Sequence, residues 1–91
     1  MAIKRVHVIV YGKVQGIFFR AYAQAEGTKI GVKGWVKNRP DGTVEAAVEG
    51  EPEQVEQMVA WLKQGSPGAQ VVKVEVKEER PVGEPQFNIR Y

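Results

Sequence analysis

The chain has 91 residues, 43% of them hydrophobic and 26% charged, which suits one globular domain over residues 1–91 and leaves too little length for two independently stable cores. Thirteen Lys and Arg against eleven Asp and Glu give a net charge of +2 spread along the chain, a mild preference for anionic ligands that falls short of a nucleic-acid signature. The absence of cysteine excludes disulfides, thiolate nucleophiles and cysteine-based metal sites, and no apolar run approaches the ~20 residues that span a bilayer.

Residues 6–11 alternate Val6, Val8 and Val10 with His7, Ile9 and Tyr11, the period-2 pattern of a strand with one face against a core. The same parity sends His7 and Arg5 to the opposite, solvent-facing side. Gly12-Lys13-Val14-Gln15-Gly16 breaks the alternation, and from about Phe19 helical spacing takes over. Phe19, Ala23, Gly27 and Ile30 share one sector of that helix, which ends near Gly31. Gly27 costs roughly 1 kcal/mol relative to alanine in a helix interior, so close helix-to-sheet approach is expected there. Glu26 falls in the same sector and must reach a hydrogen-bond partner or the helix edge, because an ionised carboxylate is not buried alone.

Residues 32–38 and 43–49 read as the two strands of an antiparallel hairpin around Arg39-Pro40-Asp41-Gly42, where proline and Asp-Gly supply turn geometry. Val44, Ala46 and Val48 point to the core, and Thr43, Glu45 and Glu49 to a largely wet face. The second helix carries Pro52 in its first turn with Glu51 and Glu53. Val55, Met58, Val59 and Leu62 form its apolar stripe, and Lys63 and Gly65 mark its end. After the Gly65-Ser66-Pro67-Gly68 turn comes a strand with Val72, Val74 and Val76 expected on one face. A Pro-Gly-Pro-punctuated connection then leads to a short terminal strand with Phe87, Ile89 and Tyr91. The order predicts an α+β, ferredoxin-like β-α-β-β-α-β sandwich: an antiparallel sheet, two helices on one face and a short extra C-terminal strand. That architecture hosts many unrelated activities, so function has to come from a site.

Chemistry concentrates in Gly12-Lys13-Val14-Gln15-Gly16-Ile17-Phe18-Phe19-Arg20, a strand-to-helix loop whose glycines let backbone amides converge at a helix N-terminus. Such a loop alone is more often an ordinary βα turn. Arg20 favours an anion site, because a cation in the first helical turn opposes the macrodipole by about 0.3–1 kcal/mol unless an anion lies between it and the amides. Asn38, beside the hairpin turn, reads on its own as an Asx-type turn residue. Trp35 reads as packing on its strand. One histidine, one serine and no cysteine leave no nucleophilic triad, and no His and carboxylate cluster has metal-ligand spacing.

The loop from Gly12 to Arg20 resembles the phosphate-loop signature of the acylphosphatase family. Gly34-Trp35-Val36-Lys37-Asn38-Arg39-Pro40-Asp41-Gly42-Thr43-Val44, followed by Gly50, resembles that family's second signature. The similarity runs over essentially the whole chain, including the Gly-Ser-Pro turn and the Asn-Ile-Arg-Tyr terminus. The resemblance implies hydrolysis of small acyl phosphates, with Arg20 and the amides of Gln15, Gly16, Ile17, Phe18, Phe19 and Arg20 binding the phosphoryl oxygens and Asn38 positioning the attacking water. It implies no metal, no other cofactor and no covalent intermediate, and inorganic phosphate as both product and inhibitor.

Two other functions fit the same order of elements. RNA-recognition modules use the open sheet face, but residues 43–49 lack stacking aromatics and bring two acidic residues to that face. A small-molecule regulatory module would normally adjoin an enzyme domain or dimerise. The expectation is a cytoplasmic monomer without nucleic-acid or membrane partners, with a link from the Tyr91 carboxylate to an arginine such as Arg20 worth locating.

Overall fold

Seven elements follow one another in the computed structural model, which describes residues 2–91: β1 (Lys4–Lys13), α1 (Phe19–Ile30), β2 (Lys33–Asn38), β3 (Val44–Gly50), α2 (Pro52–Gln64), β4 (Gln70–Glu79) and β5 (Phe87–Arg90). The strands form one sheet in the order β4-β1-β3-β2-β5. The first four pair antiparallel, with Val6 opposite Val48 in the central pair. Both helices cover one face of this ferredoxin-like α+β sandwich. Phe19 and Ala23 of α1 and Val55, Met58 and Leu62 of α2 share a core with Val6, Val8, Val10, Val36, Val44, Ala46 and Val48 of the sheet.

Local chemistry sets the helix ends. Gly31 closes α1 in the left-handed region at φ 101°, which costs glycine little. A capping box between Glu51 and Gln54 opens α2, with Pro52 in its first turn. Gln54 also donates to the Ile30 carbonyl at 3.2 Å, fixing the start of α2 to the end of α1. The close approach expected at Gly27 is present, since a Cβ there would stand 2.6 Å from Cδ2 of Phe87. Glu26 lies half-buried beside it.

Four expectations change in three dimensions. β5 runs parallel to β2, so the sheet is mixed. β4 leaves the sheet at the end where β2 begins, and a strand that re-enters there beside β2 must run the same way. Val72 is 80% exposed, and not on the face of Val74, because the ladder slips between Tyr11 and Gly12. The slip makes Val72 an extra residue, so Val71 and Val74 pack against the core instead.

The face away from the helices is also drier than its alternation suggested. Ile9, Trp35, Ala47 and Glu49 on that face are all buried. The guanidinium of Arg90 lies 4.5 Å from the Trp35 ring centroid and the Lys37 ammonium 5.9 Å, which covers the ring rather than presenting it for stacking.

Finally, Arg5 does not face solvent and His7 does so only in part. Arg5 is buried among Glu49 at 3.4 Å, Glu79 at 3.2 Å and Glu84 at 3.0 Å, and His7 Nε2 meets a Glu45 carboxylate oxygen at 2.5 Å. Glu49 accepts the backbone N–H groups of Val82, Gly83 and Glu84 at 2.7–2.9 Å. This cluster clamps the 80–86 connection across the end of the sheet, which delivers β5 to the far edge. Burial opposes ionisation of both partners, yet these hydrogen bonds hold the Glu49 pKa below and the Arg5 pKa above the ordinary values.

Candidate active site

The loop after β1 turns with alternating handedness. Gly16 has φ 77° and Phe18 φ 60°, whereas Ile17 between them is not in the left-handed region. Alternation of this kind points successive backbone N–H groups to one side and makes an anion-binding concavity. Phe18 is the N-cap of α1 and is 80% exposed, so neither glycine's freedom nor burial accounts for its left-handed backbone. Such a conformation costs of order 1–3 kcal/mol and is characteristic of functional loops. The first helical bond runs from the Tyr22 N–H to the Phe18 carbonyl at 3.0 Å. Among the described residues, the loop amides of Gly16, Ile17 and Phe18 and the first helical amides of Phe19, Arg20 and Ala21 have no protein acceptor.

A cavity of about 340 Å³ opens above these amides, lined on the loop side by Gln15, Gly16, Phe18, Phe19 and Arg20, and across from them by Asn38, Ile89 and Tyr91. Of the residues expected at the site, Ile17 alone does not line the cavity, and its side chain packs against the core. Among the described residues, no carboxylate, the terminal one included, lies within ion-pair distance of Arg20. Its guanidinium instead sits 4.9 Å from the centroid of the Tyr91 ring. The expected link to the terminus is thus made by the aromatic face rather than by the carboxylate. A helix N-terminus, converging amides and an arginine without a counter-charge together suit a multiply charged tetrahedral anion.

Asn38 ends β2 opposite Val44. Its Oδ1 is buried and has no hydrogen-bond partner among the described residues. The turn that follows is held by other groups. The Arg39 N–H donates to the Thr43 carbonyl at 2.9 Å, and the Asp41 carboxylate accepts from the Thr43 backbone at 3.0 Å and hydroxyl at 2.6 Å. Those two bonds hold the Asp41 pKa below the ordinary carboxylate range. Asp41 therefore supplies the Asx-type bond, and the Asn38 amide is left facing the cavity.

An exposed amide loop, an uncompensated arginine and the Asn38 side chain meet in one cavity, and comparison with known proteins places the chain in a family. The family model described as Acylphosphatase matches residues 6–89. The chain belongs to the acylphosphatase family. An acylphosphatase of Thermococcus kodakarensis is 52% identical over 93% of both chains. The solved acylphosphatase of Bacillus subtilis superposes with a TM-score of 0.93 at 40% identity, over 99% of this chain and 100% of the other. That of Coxiella burnetii gives the same TM-score at 35% identity, over 97% and 93%. Both family signatures, the loop from Gly12 to Arg20 and the strand and turn from Gly34 to Val44, contribute walls of the same cavity.

Sequence reasoning missed the far wall. Ile89 and Tyr91 reach the cavity only because β5 docks parallel to β2, with Ile89 opposite Val36. Nothing local in Asn-Ile-Arg-Tyr announces that position. It also missed the work of the Gln15 side chain, which donates to the carbonyls of Arg39 and Thr43, each at 2.8 Å.

Proposed function

We propose that this acylphosphatase-family chain hydrolyses the carboxyl-phosphate bond of small acyl phosphates to a carboxylate and inorganic phosphate. In this reading a water oriented by Asn38 attacks a phosphoryl group held by Arg20 and the backbone amides of residues 15–20. The observation that carries it is the one cavity lined by both Arg20 and Asn38. The amides and the guanidinium fork take the phosphoryl oxygens, and the Asn38 side-chain NH2 donates to the water oxygen, leaving its other lone pair to attack phosphorus.

The water oxygen forms the new P–O bond as the bond to the acyl oxygen breaks, and that electron pair departs on the carboxylate. The water's proton passes to a phosphoryl oxygen. Phosphoryl transfer asks mainly for positioning and charge stabilisation, and a carboxylate leaves without a general acid, so few side chains suffice. The step needs no metal: the loop amides and Arg20 take the charge of the phosphoryl group. Inorganic phosphate, as product, would compete for the same amides.

The test is phosphate release from a simple acyl phosphate in the presence of a chelator. Asn38→Ala should lower kcat on the order of 10²-fold, with KM and competitive inhibition by phosphate within a few-fold of the parent. Asn38→Asp should do no better, since it removes the amide and adds a negative charge near an anionic substrate. Activity lost to chelator and restored by a divalent metal would overturn the mechanism, as would an Asn38→Ala variant with raised KM and intact kcat.

A further inference from the structure

The phosphate loop and Asn38 belong to different elements, and in-line attack requires them in register. The loop follows β1, and Asn38 lies at the end of β2 beside the 39–43 turn. Apart from the β1 and β3 ladder, which ends at Val10 and Val44, the only side-chain hydrogen bonds between loop and turn among the described residues come from Gln15. Both bonds leave one atom, Nε2, and both end on the carbonyls that already close the turn. The Arg39 carbonyl also accepts the Gly42 N–H at 3.1 Å, and the Thr43 carbonyl also accepts the Arg39 N–H at 2.9 Å. A primary amide has two N–H donors, and here each is used on a separate carbonyl, so the side chain has little freedom to rotate.

We propose that Gln15 is a positioning residue that sets the Asn38 amide against the phosphate loop. The inference rests on the role assigned to Asn38 above. Gln15 lines the cavity, yet its donors point away from an incoming anion and into the turn, so its side chain is not a phosphate ligand. Anchoring Arg39 through its carbonyl fixes the residue next to Asn38. Without the two bonds the turn remains closed by its own backbone and by Asp41, and so keeps its shape while drifting relative to the loop. A displacement near 1 Å between water and phosphoryl group is enough to cost on the order of 10²-fold in rate. The amides and Arg20 are untouched by that drift, so phosphate affinity should not follow the rate.

The test is a double-mutant cycle with Gln15→Met, which keeps the length and bulk but loses both donors, read against Asn38→Ala. Gln15→Met should lower kcat about 10- to 100-fold, with the inhibition constant for inorganic phosphate within about three-fold of the parent. In the Asn38→Ala background the same change should have little further effect, because it acts through a group already removed. Gln15→Asn, whose amide is one methylene too short to reach both carbonyls, should resemble Gln15→Met and guards against loss of fold in one variant. If the losses from Gln15→Met and Asn38→Ala multiply, Gln15 does not act through Asn38 and the proposal fails while the Asn38 mechanism stands. If phosphate inhibition weakens in step with kcat, Gln15 is part of the phosphate grip and the proposal fails in another way. If Asn38→Ala alone keeps the parental kcat, the mechanism of the preceding subsection falls and this proposal falls with it.

Discussion

At the residue scale the most exposed tension is at Arg20, a cation in the first turn of α1. Removing it relieves about 0.3–1 kcal/mol of unfavourable interaction with the helix dipole. Removing it also forfeits the contact with the Tyr91 ring, worth about 0.5–1 kcal/mol at an exposed site. The two nearly cancel, so Arg20→Ala should leave the phosphate-free melting temperature within about 4 °C of the parent. Arg20→Lys keeps the charge but not the fork that grips two phosphoryl oxygens, so kcat/KM should fall on the order of 10²-fold with phosphate inhibition weakened in parallel. Parental kinetics in the lysine variant, or a fall of ten degrees in the alanine variant, would show that Arg20 has a structural role and not a ligand-binding one. Arginine in an acid-favouring position was already conspicuous in the sequence. Its aromatic partner was not, because Tyr91 is 71 positions away and arrives on a strand whose neighbour no local pattern specifies.

At the element scale, α1 and β5 are fitted to each other at one point. Gly27→Ala gains about 1 kcal/mol of helix propensity, but the new methyl would meet the Phe87 ring at 2.6 Å, and Phe87 is itself buried. Overpacking of this kind typically costs about 1–3 kcal/mol, which outweighs the gain. The melting temperature should therefore drop, by roughly 5 °C at the middle of those ranges. Combining the change with Phe87→Leu should recover part of the loss, since the smaller side chain makes room for the methyl. A stabilised Gly27→Ala variant would mean that β5 yields freely and that Phe87 does not set the helix-to-sheet distance. The helical period in residues 19–30 predicted this helix and placed the glycine on its inner face. What the glycine admits, an aromatic ring from the last strand, is a long-range contact and carries no trace in the helix's own sequence.

At the scale of the whole molecule, the Arg5 and Glu49 cluster ties the connection between β4 and β5 to the far end of the sheet. Hydrogen bonds from three backbone amides and from Arg5 keep the folded pKa of Glu49 below its unfolded value of about 4.3, despite the opposing effect of burial. A carboxylate with a depressed folded pKa contributes its stabilisation in full above the unfolded pKa and loses it as pH falls through the folded one. The melting temperature should thus decline as the solution is acidified below about pH 4.3. Glu49→Gln should cost about 3 kcal/mol near neutrality, as for one broken member of a buried pair, or about 10–25 °C. The gap between variant and parent should narrow as pH falls, because the parent then loses by protonation what the variant lacks throughout. A constant offset from pH 7 down to pH 3 would assign the stabilisation to packing of the side chain and not to its charge.

What the sequence determined by itself is everything carried by short-range periodicity and by contiguous motifs. The 2- and 3.6-residue periods placed two helices and five strands, and the turn residues placed the caps. The two signatures marked Arg20 and Asn38 before any coordinate was known, since backbone conformation and local bonding depend on neighbours in the chain. Apart from the β2 and β3 hairpin, announced by its turn residues, only the tertiary structure decided which elements lie side by side. The parallel docking of β5 brings Tyr91 to Arg20, the slip at Gly12 turns Val72 outward, and Glu49 draws Arg5 out of solvent and anchors the connection. The reach of Gln15 to the turn beyond Asn38 belongs to the same class. Each is a pairing between residues far apart in the chain, whose free energy depends on a shared burial that exists only once the sheet has closed, so no window of sequence contains it.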